Sequence, residues 1–384
     1  MPDSNVIPTE PLQTRGFVDG CFDLMHSGHF NALRQAKSMY NWSHALIFSI
    51  LGVCRTLIVG IHSNEEIEHQ KGPPVMHQAE RYGLLEHIKW IDEIEYDVPY
   101  CPSLKTLEKV RADFVIHGDD IPYNSEGRCA YDEIIAANKL KIIKRTEGVS
   151  TTDLVGRLLL LTREHLDDPE AKAVAKLIQK PEGEASASAK TVKMLTTARR
   201  IAEFSSRRPV TEEDKVVYID GAFDLFNVGH ASTLKKAREL GTYLIVGIHD
   251  DETVNQLKGS NYPIMNLHER VLNVCSCKWV DDVVIGAPRI IDEDMIKTLN
   301  IKVIAQGTHT SSKHSENIER VDIQRIIDNK LANFAEVESD WPSLTTAEIA
   351  KRIGENRMRF IQRNAKRGKM EDDYYKNKLH KIEQ

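Results

Sequence analysis

The chain has 384 residues, 41% of them hydrophobic and 28% charged, with a formal net charge of -6. Such length and apolar content suffice for two well-buried cores and exclude disorder throughout. With acids and bases mixed along the chain, there is no basic field of the kind nucleic acid needs, and a small-molecule partner fits better. The start, MPDSNVIPTE, lacks the basic-then-apolar pattern of a signal peptide, and Cys21, Cys54, Cys101, Cys129, Cys275 and Cys277 lack metal-ligand spacing. Both features point to a reducing, cytoplasmic setting. Cys275 and Cys277 fall in an apolar helical pattern, where buried free thiols fit better than a redox or metal pair.

In chain order, strands are expected near Arg15 to Asp19, Thr56 to Ile61, Ile91 to Ile94, Asp113 to His117 and Lys141 to Arg145. Helical patterns such as HFNALRQAKSM and YDEIIAANKL lie between them. Strands alternating with helices imply a parallel sheet with helices on both faces, an α/β fold. The run Ala45 to Cys54 is apolar but too short to span a membrane. The stretch Leu166 to Lys215 contains KPEGEASASAK, whose composition marks a linker.

The second half repeats the first. GFVDGCFDLMHSGH ends at His29 and VYIDGAFDLFNVGH at His230, and LIVGIH, KG, ER and KW followed by an acid recur in the same order. The offset between copies falls from 201 at the histidines to 187 at LIVGIH, so copy one carries 14 additional residues, placed at about Tyr40 to Val53. Copy two makes the same connection with Leu240 to Tyr243 alone, so the insert reads as dispensable. The expected organisation is a first domain over 1–165, a linker over 166–215, a second domain over 216–354 and a charged tail over 355–384. The tail lacks a continuous apolar stripe and reads as a solvated helix or a frayed end.

His26 and His29 stand three apart where a strand gives way to a helix. Helix N-termini favour anions, Gly28 allows close backbone approach, and imidazoles add donors that can follow charge onto phosphate. Zinc ligation and two ordinary surface histidines are the alternatives, and zinc lacks further ligands. A second helix start, RTEGVSTTDLVGRLL, sets Ser150, Thr151 and Thr152 near Arg145. These hydroxyls either cap the helix or form, with the guanidinium, a second anion cradle. Lys71 is either a loop lysine or a phosphate-neutralising one, and its recurrence as Lys258 favours the latter.

HSGH at His26 to His29 together with RTEGVSTTD at Arg145 to Asp153 resembles the signature pair of the CTP:phosphocholine and phosphoethanolamine cytidylyltransferases, and the tandem copies resemble the phosphoethanolamine branch. The resemblance implies two tandem Rossmann-like nucleotidyltransferase domains with parallel sheets, and transfer of a cytidylyl group from CTP to phosphoethanolamine in phosphatidylethanolamine synthesis. It makes His26, His29 and Lys71 catalytic. It lines the CTP site with Asp19, Gly20, Cys21, Phe22, Gly28, His117, Gly118, Asp119, Arg145, Gly148, Val149, Ser150, Thr151 and Thr152. Magnesium is expected with CTP, its ligands unknown. No nucleic acid, membrane contact at most peripheral and at the endoplasmic reticulum, and a homodimer complete the expectation. The alternatives are a choline-phosphate cytidylyltransferase and a non-catalytic cytidine-nucleotide-binding regulator.

Copy two departs from this pattern. Asn227 replaces the first histidine and Gln306 stands where copy one has His117; Thr345 and Thr346 align with Ser150 and Thr151, and Arg145 has no clear counterpart. Copy two is therefore expected to bind CTP through Ala222, Phe223, Asn227, Gly229, His230, Lys258, Gln306, Gly307, Thr345 and Thr346, with little turnover.

Overall fold

Runs of aliphatic residues bounded by glycines and acids pair as strands in both copies. The computed structural model describes residues 15–37, 54–120, 122–146, 149–160, 198–205, 208–308 and 326–364. The insert at 40–53, Gly148, most of the expected linker and the tail beyond 364 lie outside the described residues.

By contacts the chain forms two compact units, one of Met1–Cys21, Asn31–Gln70 and Trp90–Arg145, the other of Phe22–Phe30, Lys71–Lys89 and Thr146–Gln384. This partition does not follow the sequence repeat. Three short segments of copy one, those carrying HSGH, Lys71 and Ser150 to Thr152, belong by their contacts to the unit that contains copy two.

The first unit is built on β1 (Arg15–Gly20), β2 (Thr56–Ile61), β3 (Glu93–Tyr96), β4 (Phe114–Gly118) and β5 (Leu140–Ile143), all parallel, in the order β3-β2-β1-β4-β5. The middle strands β1 and β2 are apolar and buried along nearly their whole length, as strands covered on both faces must be, while edge strand β3 (EIEY) is largely exposed. Phe17, Ile58 and Val115 pack against Leu107 and Val110 of α4 (Leu104–Val110) and Ile134 of α5 (Asp132–Ala136). Chain order reverses between β1 and β4, and ligands of such sheets bind at the strand carboxyl ends beside that reversal. Gly20 and Gly118 end those two strands.

The second unit repeats the plan with β6 (Val216–Gly221), β7 (Tyr243–Ile248), β8 (Asp282–Ile285), β9 (Ile301–Gly307) and β10 (Asn333–Val337), parallel in the order β10-β9-β6-β7-β8. Its helices are capped as their sequences dictate. Asn227, Asp250, Asn266 and Thr345 accept backbone hydrogen bonds at the starts of α7 (Val228–Glu239), α8 (Asp251–Lys258), α9 (Leu267–Cys275) and α11 (Thr346–Glu355), with α10 (Glu293–Thr298) between α9 and β9. Copy one contributes α3 (Gln78–Leu85) and α6 (Thr151–Leu160) to this unit. Arg157 of α6 forks onto Glu269 of α9 at 2.8 and 3.0 Å, and Arg352 of α11 forks onto Glu80 of α3 at 2.8 and 2.9 Å. These four residues are matched pairs of the two copies, so the exchange is reciprocal. The KW segments pair similarly: Ile88 and Cys277 form an antiparallel bridge, and the Trp279 indole donates to His87 Nδ1 at 2.7 Å. Cys275 and Cys277 are buried free thiols, both pushed up to about 12 by burial.

Several expectations need correction. Strand β3 begins at Glu93, not Ile91, and β5 ends at Ile143, which leaves Arg145 in the turn beyond it. The tail is not wholly solvated: residues 357–364 are helical, with Phe360 3% and Arg363 7% exposed. Periodicity missed this because the buried face is made of one aromatic and one arginine whose partner is distant in sequence. Within the expected linker, residues 198–204 are helical and Phe204 is buried. At the borders of the insert, α1 (Ser27–Ala36) ends before it, and Lys37 and Cys54 pair as a parallel bridge. Among the described residues no helix is long and apolar enough to cross a membrane.

Candidate active site

Both copies build the loop before the HxGH helix in the same strained way. Phe22 and Leu24 have φ of 48° and 45°, and their counterparts Phe223 and Leu225 have 47° and 49°. Left-handed backbone at such residues costs about 1–2 kcal/mol each and persists only where the surroundings enforce it. The enforcing group is the acid between them. Asp23 accepts from the amides of Val75 and Met76 at 2.9–3.0 Å, and Asp224 from those of Ile264 and Met265 at 2.8 and 2.9 Å. The carbonyls of Asp23 and Asp224 in turn accept from the hydroxyls of Thr151 and Thr346 at 3.1 and 3.0 Å. Each buried aspartate thus ties the HxGH loop to the loop after the KG lysine and to the start of the closing helix. Lys71 ends α2 (Asn64–Lys71) as Lys258 ends α8.

At the start of α1, His26 Nδ1 accepts from the Gly28 amide at 3.1 Å, so in the neutral ring the proton sits on Nε2. The His29 ring lies 4.1 Å from that of His26 and 6.0 Å from that of Phe22. A Cβ at Gly28 would stand 2.9 Å from the His26 ring, which excludes any other residue there without moving the histidine. In copy two the side-chain amide of Asn227 takes the capping position that the His26 ring holds in copy one. Its Oδ1 caps Gly229 and His230, its Nδ2 donates to the Leu225 carbonyl, and the side chain is 1% exposed. These bonds occupy both ends of the Asn227 side-chain amide. His230 stacks on Phe226 instead, with centroids 5.8 Å apart and planes 12° apart.

In the first unit, the carboxylate of Asp19 at the end of β1 accepts from Tyr131 Oη at 2.8 Å and lies 3.7 Å from His62 Nε2. His62 Nδ1 donates to the Val98 carbonyl at 3.0 Å. Burial and Asp19 raise Tyr131 well above the usual tyrosine range, so it remains a donor. His117 packs its ring 4.8 Å from Tyr131. Beyond β4, Asp119 accepts from the Arg145 amide at 3.1 Å and Asp120 pairs with the Arg145 guanidinium at 3.1 Å. The arginine expected to cradle an anion is thus held by an acidic turn of its own unit. Ser150 caps α6 by accepting from the Asp153 amide at 3.0 Å, and Thr151 is engaged with Asp23, so both hydroxyls serve the scaffold.

Copy two contains an open cavity of about 500 Å³ at the carboxyl ends of β6 and β9. Ala222, Phe223, Gly229, His230, Lys258, Gln306, Gly307, Thr345 and Thr346, all expected from sequence, line it. Asp220, His249, Tyr262, Arg289 and Trp341 line it too and were not anticipated. For the first two the signal was available, since the repeated blocks VDG/IDG and LIVGIH carry Asp19 with Asp220 and His62 with His249 at matched places. Arg289 and Trp341 lie in loops with no such repeat.

Burial, with Lys258 nearby, pushes the His230 imidazole down to about 3 from 6.5. Below pH 6.5 the unfolded chain takes up a proton here that the folded chain refuses, so stability from this site is full above that pH and is lost as pH falls towards 3. Denaturant titrations at pH 7, 6 and 5 should show wild type losing up to about 1.4 kcal/mol per pH unit more than His230→Gln. Equal slopes would show that the ring titrates normally.

A cytidylyltransferase-like family model matches residues 17–184 and 218–352, both copies. An ethanolamine-phosphate cytidylyltransferase of Dictyostelium discoideum is 43% identical over 366 residues, covering 94% of this chain and 96% of the relative. One of Arabidopsis thaliana is 39% identical, covering 95% and 86%. The chain belongs to the ethanolamine-phosphate cytidylyltransferase family. A choline-phosphate cytidylyltransferase A of Rattus norvegicus is similar over only 38% of the chain and 36% of its own length, at 38% identity. Within the ethanolamine-phosphate family, then, the likeness runs through both copies, and the asymmetry between His26 and Asn227 belongs to a two-copy enzyme.

Proposed function

We propose that copy one transfers a cytidylyl group from CTP to phosphoethanolamine, giving CDP-ethanolamine and pyrophosphate, and that copy two holds a cytidine nucleotide without turning it over. The observation that carries this division is the paired imidazoles at the start of α1 against a single imidazole and a capping amide at the start of α7. In the reaction a phosphate oxygen of phosphoethanolamine attacks the α-phosphorus, the bond to the β-phosphate oxygen breaks, and pyrophosphate leaves. The substrate is the nucleophile, so positioning and neutralisation of charge on the phosphates carry the rate. His26 and His29 donate to the phosphate oxygens as charge moves onto the leaving group, and Lys71 offsets the charge of the triphosphate.

Magnesium would enter on the triphosphate, screening its charge. Among the described residues no group of three or more histidine, cysteine, aspartate or glutamate side chains could hold a metal ion. That donor set fits a cation carried mainly by phosphate oxygens and water. The nucleotide in copy two would meet Lys258 and Arg289 with its phosphates and the β6 and β9 ends with its nucleoside. Cytoplasmic placement, with peripheral contact at the endoplasmic reticulum, follows from the lipid-synthetic role.

Pyrophosphate release from CTP should require phosphoethanolamine and be far slower with phosphocholine. Calorimetry of the whole chain with CMP should give two sites, and Lys258→Ala should remove one while turnover persists. Equal rates with phosphocholine would select the choline-phosphate reading, and no turnover with either would select the regulator.

A further inference from the structure

The ion pair that meets Asp23 does not come from copy one. Arg363, on the helical stretch 357–364 beyond α11, sets both terminal nitrogens 3.4 Å from Asp23 Oδ2, with side chains 4% and 6% exposed. The same guanidinium donates to the carbonyl of Pro73, two residues after Lys71, and its stem lies along Gly72, where an added Cβ would be 3.8 Å from Arg363 Cδ. The next residue continues the contact, Asn364 Nδ2 donating to the Thr152 carbonyl at 3.1 Å. Two adjacent residues at the end of the described chain therefore hold the HxGH loop, the Lys71 loop and the start of α6. Copy two has no matching device: among the described residues Asp224 is paired with no arginine.

A buried ion pair is a poor source of stability, because desolvation of the two charges offsets their attraction. It does fix geometry. The two left-handed residues beside Asp23 would otherwise relax, and with them the placing of His26 and His29 relative to Lys71. We propose that Arg363 is a positioning residue for turnover at copy one, clamping its three phosphate-handling segments from the C-terminal end of copy two. The proposal rests on the assignment of turnover to copy one. It makes the helix after copy two a requirement for chemistry performed by copy one.

The test uses the full chain with Arg363→Ala, Arg363→Lys and Asn364→Ala, each shown to be folded by circular dichroism at the assay temperature. Misplacement of reacting groups by about 1 Å costs on the order of a hundredfold. Arg363→Ala should lower kcat by roughly tenfold to a hundredfold with KM for CTP and phosphoethanolamine little changed, the pattern of lost transition-state geometry. Arg363→Lys should lie between, since one ammonium cannot serve Asp23 and Pro73 in the same fork. Millimolar guanidinium should restore part of the Arg363→Ala rate, and urea at the same concentration should not. Full kcat in the folded Arg363→Ala protein, or a lost rate that guanidinium leaves unchanged, would overturn the clamp. His29→Ala measured alongside separates the two claims: if it stays active, the assignment of copy one fails, and if it is dead while Arg363→Ala is active, only the clamp fails.

Discussion

His29→Ala should lower kcat by roughly a hundredfold to a thousandfold, the usual effect of removing one preorganised transition-state donor, while His230→Ala should retain a large fraction of wild-type turnover. The contrast follows from what surrounds each ring. The His29 ring lies 4.1 Å from a second imidazole, tilted by 41° to it, so two imidazoles stand together at the start of α1. His230 stacks on Phe226 and accepts from the Asn227 amide at 3.3 Å through Nδ1, so a single ring serves both the helix cap and any phosphate. Pyrophosphate release from each variant at saturating substrates decides the matter. A dead His230→Ala beside an active His29→Ala would move the chemistry to copy two.

The two sheets and the HxGH helices were legible because each depends on neighbours in sequence. A buried parallel strand is a continuous apolar run, and LIVGI and TLIVGI can hardly be anything else once a helix pattern flanks them. Most of the cavity in copy two was legible for the same reason, since strand ends and helix starts are where chain direction changes. The scaffold of the site was not legible. Asp23 stood in plain view inside a repeated block, yet its task is to bind amides more than fifty residues away, and no local pattern encodes that. Asn227 read as a weakened phosphate ligand because its amide chemistry allows both tasks. The 2.9 Å contact to Gly229 shows that it performs the capping task. Arg363 was hidden by its composition: a charged residue in a charged tail signals a solvated face unless a buried acid is waiting for it.

Arg157→Met should cost about 3–5 kcal/mol of stability, the largest single effect expected away from the chemistry, because it strands a carboxylate whose ion pair is buried. Arg157 and Glu269 each have side chains 9% exposed, and their fork joins α6 of copy one to α9 of copy two. Glu269 also accepts from the Asn266 amide at 2.9 Å, closing the capping box at the start of α9, so an unpaired charge there would disturb the helix that follows. Arg157→Met with Glu269→Gln should recover part of the loss, since glutamine keeps the capping acceptor without the charge. Asp153, 2.7 Å from Arg157 and half exposed, loses little because water can replace its partner. Denaturant unfolding of the single and double variants measures the difference. If the double variant is no more stable than Arg157→Met, the cost lies in lost packing and not in the stranded charge. Turnover adds a second readout, since α6 begins with Thr151, whose hydroxyl holds the Asp23 carbonyl. A loosened α6 should therefore lower kcat at temperatures where the chain is still folded, which carries the effect of a pair between the copies into the HxGH loop of copy one.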